Sequence, residues 1–89
     1  MKLTTIKHEF VKFIPDVLSE GVLYVSDAYG TAMHKCFCGC GNRVVTPLSS
    51  TGWQLTIEID SVSLSPSIGS YQLPCRSHYF ITKNQVLWV

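Results

Sequence analysis

The chain predicts a small all-β fold, a single domain over residues 1–89 built from short antiparallel strands. Three observations lead there. Turn residues recur every eight to twelve positions, helical periodicity is almost absent, and residues 53–59 alternate in character with period two. Taken in order, residues 5–13 carry a loose alternation, and Pro15-Asp16 opens a turn that ends at Gly21. Val22–Ser26 is β-rich, Asp27-Ala28-Tyr29-Gly30 is a turn, and Thr31–Lys35 runs as a strand into a cysteine cluster. Residues 43–46 form the next strand, because Val44, Val45 and Thr46 are β-branched and Pro47 stops the segment from continuing inside a ladder. In residues 53–59, Trp53, Leu55, Ile57 and Ile59 occupy one face, which the pattern predicts to be buried. A turn at Asp60-Ser61 leads to an antiparallel return over residues 62–64. The last hairpin pairs residues 79–82 with 85–89 across Lys83-Asn84, where asparagine tolerates the positive φ that a two-residue turn requires.

Composition excludes several classes of function. Apolar residues at 46% and charged residues at 15% describe a chain that folds, not a disordered one. A net charge of +1, with no basic stripe, argues against nucleic acid as a partner. The N-terminal MKLTTIKHEF contains neither a spanning segment nor a signal-peptide core, so the expectation is a soluble cytoplasmic protein that does not use a membrane.

In a reducing compartment four cysteines point to metal or thiol chemistry rather than disulfides. Three crowd into Cys36-Phe37-Cys38-Gly39-Cys40-Gly41, and Cys75 follows thirty-five residues later. Zinc bound by four thiolates at about 2.3 Å brings neighbouring sulfurs to within roughly 4 Å. An extended strand spans about 13 Å over four residues, so the chain must fold back inside the cluster, and Gly39 and Gly41 are the residues that allow it. The first-choice ligand set for a structural zinc is Cys36, Cys38, Cys40 and Cys75. Replacement of one clustered cysteine by His34 or His78 is the alternative, and four free thiols in a reduced core is the other. Four thiolates leave no open position for water or substrate, which makes such a site a staple and sends any catalysis elsewhere.

Elsewhere, the reactive groups are His34, His78 and the hydroxyls of Ser26, Thr46, Ser63, Ser67 and Ser77. A nucleophilic serine needs a base within hydrogen-bond reach and amides for an oxyanion. Ser67 is the preferred candidate, because Pro66-Ser67-Ile68-Gly69 reads as a turn that exposes its oxygen. Ser77 and His78 are neighbours, but on a strand adjacent side chains face opposite ways. His78 reaches Ser67 only if the fold brings them together. Asp27 and Asp60 fall in turns, Trp53 and Trp88 read as core aromatics, and His8 reads as a surface residue.

These blocks together resemble a family. Gly21-Val22-Leu23-Tyr24-Val25-Ser26, His34-x-Cys36-x-Cys38-Gly39-Cys40-Gly41, Val45-Thr46-Pro47-Leu48, Trp53, Leu64-x-Pro66-Ser67-Ile68-Gly69 and Pro74-Cys75-x-Ser77-His78-Tyr79 are similar to the small bacterial proteins of a formerly uncharacterised domain family. Those proteins are encoded beside ubiquitin-like proteins and their activating and conjugating enzymes. The likeness covers nearly the whole chain and departs from the pattern at Tyr71, where a tryptophan is usual. It implies a role around ubiquitin-like conjugation, with a ubiquitin-like protein or a conjugation enzyme as partner. The polar family positions here are Ser26, His34, Thr46, Ser67, Ser77, His78 and the four cysteines. The leading expectation is a zinc-stapled, serine-type peptidase with Ser67 as nucleophile and His78 or His34 as base, cleaving at the C-terminus of a ubiquitin-like protein. A non-catalytic binding module and a zinc hydrolase with histidines on the metal are the alternatives.

Overall fold

The computed structural model describes residues 2–70 and 72–89; the Tyr71 departure lies outside the described residues. Eight strands, and no helix among the described residues, form two four-stranded sheets. The first sheet runs β1 (Lys7–Phe10), β2 (Val22–Ser26), β3 (Thr31–Lys35) and β4 (Arg43–Pro47) in spatial order. The second runs β5 (Gln54–Ile57), β6 (Val62–Gly69), β7 (His78–Thr82) and β8 (Gln85–Trp88).

One core spans both sheets. Leu23, Val25, Ala32 and Val44 come from the first, Val62, Leu64, Ile68, Tyr79, Ile81 and Val86 from the second, and all belong to a single buried cluster with Cys36 and Phe37. The N-terminal segment stitches the two sheets along one seam. Val86 N–H donates to Thr4 and Ile6 N–H to Asn84 before the chain crosses to become β1. The β7–β8 hairpin turns at Lys83 and Asn84 with φ of 49° and 59°, the left-handed pair its two-residue loop requires.

Three expectations are corrected. The strands are not all antiparallel, since β1 pairs β2 in parallel, Lys7 opposite Val22. A parallel pair needs a crossover, and residues 11–21 supply it, anchored by Leu18 at 2% exposure. The period-two run over residues 53–59 does not bury a continuous face. Trp53 and Leu55 pack on the core, whereas Ile57 is 61% and Ile59 99% exposed. β5 is a short edge strand that runs past the core into a turn closed by Glu58 N–H on the Ser61 carbonyl, so its later apolar residues have nothing to cover.

The third correction concerns Ser67, which lies within β6 and not in a turn. Leu64 pairs with Ile81 and Ile68 with Tyr79, so residues 65–67 stand opposite Phe80 alone. The segment is a β-bulge, and Pro66, having no N–H to give a ladder, sits at its centre. Bulges redirect side chains. This one presents Ser67 from a strand whose flanking residues, Leu64 and Ile68, are fixed in the core. No helix of the described residues is long and apolar enough to cross a membrane.

Candidate active site and metal centre

Ser67 on the β6 bulge and His78 at the start of β7 meet: Ser67 Oγ lies 2.7 Å from His78 Nε2. Gly69 is the register partner of His78, so the bulge and the histidine are held by one ladder. Both side chains are partly buried, within reach of solvent and of a substrate. His78 also stacks near Phe80, with ring centroids 6.3 Å apart on the outward face of β7. Asp27 and Asp60 are exposed in their turns.

The other candidate hydroxyls hold structure. Ser26 Oγ donates to the Lys12 carbonyl at 2.7 Å, Thr46 Oγ1 donates to the Ala32 carbonyl at 3.1 Å, and Ser63 Oγ accepts Lys83 N–H at 2.9 Å. His8 is not simply a surface group, since its Nδ1 lies 2.8 Å from Asn84 Nδ2 beside the last hairpin turn.

His34 is placed apart from the pair, fully buried in the core. Its Nε2 lies 2.7 Å from the Tyr79 hydroxyl, its ring stacks on Phe37 at 4.3 Å between centroids, and its Nδ1 has no hydrogen-bond partner. Burial disfavours the imidazolium and holds the pKa down to about 3, so the ring is neutral across ordinary pH. Tyr79 is equally enclosed, its phenol pushed up by burial and then by the neighbouring Cys36 thiol. Tyr79→Phe would leave both nitrogens of a buried histidine unpaired. An unsatisfied buried group costs about 1–3 kcal/mol, and a melting point roughly 4–24 °C lower is the expected result by calorimetry.

The four cysteines converge. The Sγ atoms of Cys36, Cys38, Cys40 and Cys75 all lie within 4.8 Å of one another, with Cys36 Sγ 3.5 Å from that of Cys38 and 3.8 Å from that of Cys75. Neither His34 nor His78 joins the cluster. The chain folds back as the spacing requires: Gly39 N–H donates to the Cys36 carbonyl and Cys36 N–H to that of Asn42, with φ of 90° at Gly39 and 82° at Gly41. Arg76, at φ 46°, reverses the chain after Cys75.

Donors point at the sulfurs. Burial pushes the Cys36 thiol up to about 11. Burial also works to raise Cys38, but the Ser77 hydroxyl, Cys40 and a backbone amide outweigh it and bring it down to about 6. Cys75 is lowered chiefly by the Ser77 side chain. The Ser77 hydroxyl thus favours the thiolate form at Cys36, Cys38 and Cys75, an influence that residue types and spacing alone do not reveal. Ser77 faces the thiols while its neighbour His78 faces Ser67, so the alternation of one strand entry ties the two constellations together.

This geometry fits a metal. Four soft donors of one kind, close enough to share an ion and held on glycine-containing turns with N–H and O–H donors behind them, match what a tetrahedral thiolate site demands.

Fold and site together describe an all-β domain that carries a serine–histidine pair, as a serine hydrolase does, and a four-cysteine cluster that could hold a metal ion. The chain belongs to the BubE family, described as the bacterial ubiquitination-like system serine protease, whose family model matches residues 10–89. Membership makes a serine protease of such a system the activity to account for. Neither the curated proteins nor the solved structures contain a match to this chain.

Proposed function

We propose that this protein cleaves the peptide or isopeptide bond that follows the C-terminal residue of a ubiquitin-like protein, with Ser67 as nucleophile and His78 as general base. The observation that carries the reading is the 2.7 Å contact between Ser67 Oγ and His78 Nε2 in a chain of a serine protease family. His34, held neutral in the core with a pKa near 3, is a poor base at neutral pH and acts in packing.

The chemistry follows from the pair. His78, with its proton on Nδ1, accepts the Ser67 proton at Nε2 while Oγ attacks the carbonyl carbon. The tetrahedral intermediate collapses as the imidazolium protonates the leaving amine, leaving the ubiquitin-like protein esterified to Ser67. Water, deprotonated by His78, then hydrolyses the ester and releases a free C-terminal carboxylate. Gly69 N–H is the amide proposed for the oxyanion. Ser70 N–H already donates to the Ser77 carbonyl, so ladder alternation turns the Gly69 amide away from β7.

Zinc is the metal proposed for Cys36, Cys38, Cys40 and Cys75. Held by these four thiolates, it would supply a crosslink between the end of β3 and the approach to β7. Ser77→Ala removes a hydroxyl that favours the thiolate form of three of the cysteines and is expected to weaken zinc binding about 10–100-fold, read by competition with a chromogenic chelator.

The test is incubation of the purified protein with a ubiquitin-like protein of such a system that carries a C-terminal extension, followed by intact mass. Release of the extension is expected. An uncut substrate that nonetheless binds would replace the peptidase with a docking module.

A further inference from the structure

Resting on the reading of Ser67 and His78 as a peptidase pair, we infer that the cleft between β4 and the end of β6 holds the acyl side of the substrate as an added extended strand. The cleft has a volume of about 340 Å³ and is lined by Arg43, Val44, Val45, Gly69, Ser70 and Leu73, with Gln72 at its rim. Three independent features give it that occupant.

First, both walls are unpaired strand edges. β4 is the outermost strand of its sheet. The ladder bonds Cys36 N–H to Asn42 and Leu48 N–H to Gly30 set the alternation, so Val45, opposite Met33, turns its N–H and C=O outward. On the other wall, β5 pairs only with Val62, Ser63, Leu64 and Ser65, which leaves residues 66–69 of β6 with β7 alone. An extended peptide finds main-chain partners along such edges.

Second, the cleft contains an orphaned polar group. Ser70 is 7% exposed and its Oγ has no hydrogen-bond partner. A buried hydroxyl without a partner costs stability; this oxygen is closed to water beneath the cleft wall, and a turn about χ1 would bring it to a substrate carbonyl or amide laid in the cleft.

Third, the cleft leads to the chemistry. Gly69 lies in its wall, opposite His78 and two residues, about 7 Å of strand, from Ser67. With no side chain, Gly69 leaves that path open for a chain whose residues near the scissile bond are small. The acyl side is the constant part of every conjugate, whereas the leaving amine changes with the target, so a built cleft serves the acyl side.

The test uses the full chain and two probes, the extended ubiquitin-like substrate and a peptide copying its tail up to the scissile residue. Ser70→Ala and Val45→Pro, which removes an outward N–H and no ladder bond, are each expected to lower kcat/KM about 3–10-fold, mainly through KM. Ser70→Ala should leave the melting point unchanged or higher, because the lost hydroxyl bonds nothing in the free protein. In the Ser67→Ala background, the tail peptide should shift backbone amide signals of Val45, Gly69 and Ser70, with several-fold weaker binding after Ser70→Ala. Wild-type kinetics in both variants, or peptide shifts confined to other strands, or no peptide binding, would overturn the cleft assignment while leaving the Ser67 result intact. If the wild-type protein cuts nothing, the peptidase reading fails, and the amide shifts still decide whether the cleft takes a strand.

Discussion

Ser67→Ala is expected to lower kcat/KM for an extended ubiquitin-like substrate by at least about ten-thousandfold, with the fold and the bound metal unchanged. Single losses from a serine-protease constellation reach about 10⁴- to 10⁶-fold, because nucleophile and base act as a unit. His78→Ala should fall to a similar level, and the double variant little further, since removing the second member of a unit takes away nothing that still works. The stability side follows from position. Ser67 is partly exposed on a bulge, and its side chain hydrogen-bonds a histidine that water also reaches, so the variant's melting point should stay near wild type. Single-turnover cleavage followed by intact mass, with calorimetry on the same samples, makes the measurement. A Ser67→Ala protein that still cleaves at the wild-type rate would remove Ser67 from the mechanism. Ser77 is the informative control, because its loss should act through the metal.

The parts of this molecule legible in its sequence are those set by local chemistry. Lys83-Asn84 announced a two-residue turn because asparagine tolerates positive φ, and both residues adopt it. The close cysteine spacing required the chain to double back, and Gly39 and Gly41 take the left-handed conformations that do so. The remainder depended on relations between strands. Period two in residues 53–59 reports that a strand has two faces, not that a core extends to its end, and β5 is an edge strand whose Ile57 and Ile59 overhang. Parallel pairing of β1 with β2 has no residue signature, since the same side chains suit either direction. The Pro66-Ser67-Ile68-Gly69 run looked like a turn because a proline and a glycine bracket it. A bulge uses the same residues, and only the pairing of Leu64 and Ile68 with β7 distinguishes the two. The Ser67–His78 contact spans eleven residues and the His34–Tyr79 contact forty-five, so each is a product of sheet register.

Metal removal should affect the protein even more broadly than loss of the nucleophile. Cys36 and Cys75 are thirty-nine residues apart, and the loop between them contains β4, β5 and β6, so a crosslink there joins strands of both sheets. By chain-entropy arithmetic, closing a loop of that length restricts the unfolded chain by about 4 kcal/mol. Native domains retain only about 5–15 kcal/mol in total, and a chain of 89 residues has a small core from which to draw it. Stripping the metal therefore removes a large share of the stability and leaves four sulfurs in one pocket, with burial pushing Cys36 up to about 11 so that its thiol stays protonated. A melting point lower by roughly 15–30 °C is expected on chelation at neutral pH, with recovery on adding one equivalent of zinc. Cys75→Ser should reproduce the chelated state without chelator. Cleavage should disappear in step with structure, because His78 lies three residues beyond Cys75 and beside Ser77, whose hydroxyl faces the thiols. A metal-free protein, verified by mass spectrometry, that melts as the metal-bound form does would refute the staple. One that keeps its fold but stops cleaving would transfer the metal from scaffold to chemistry.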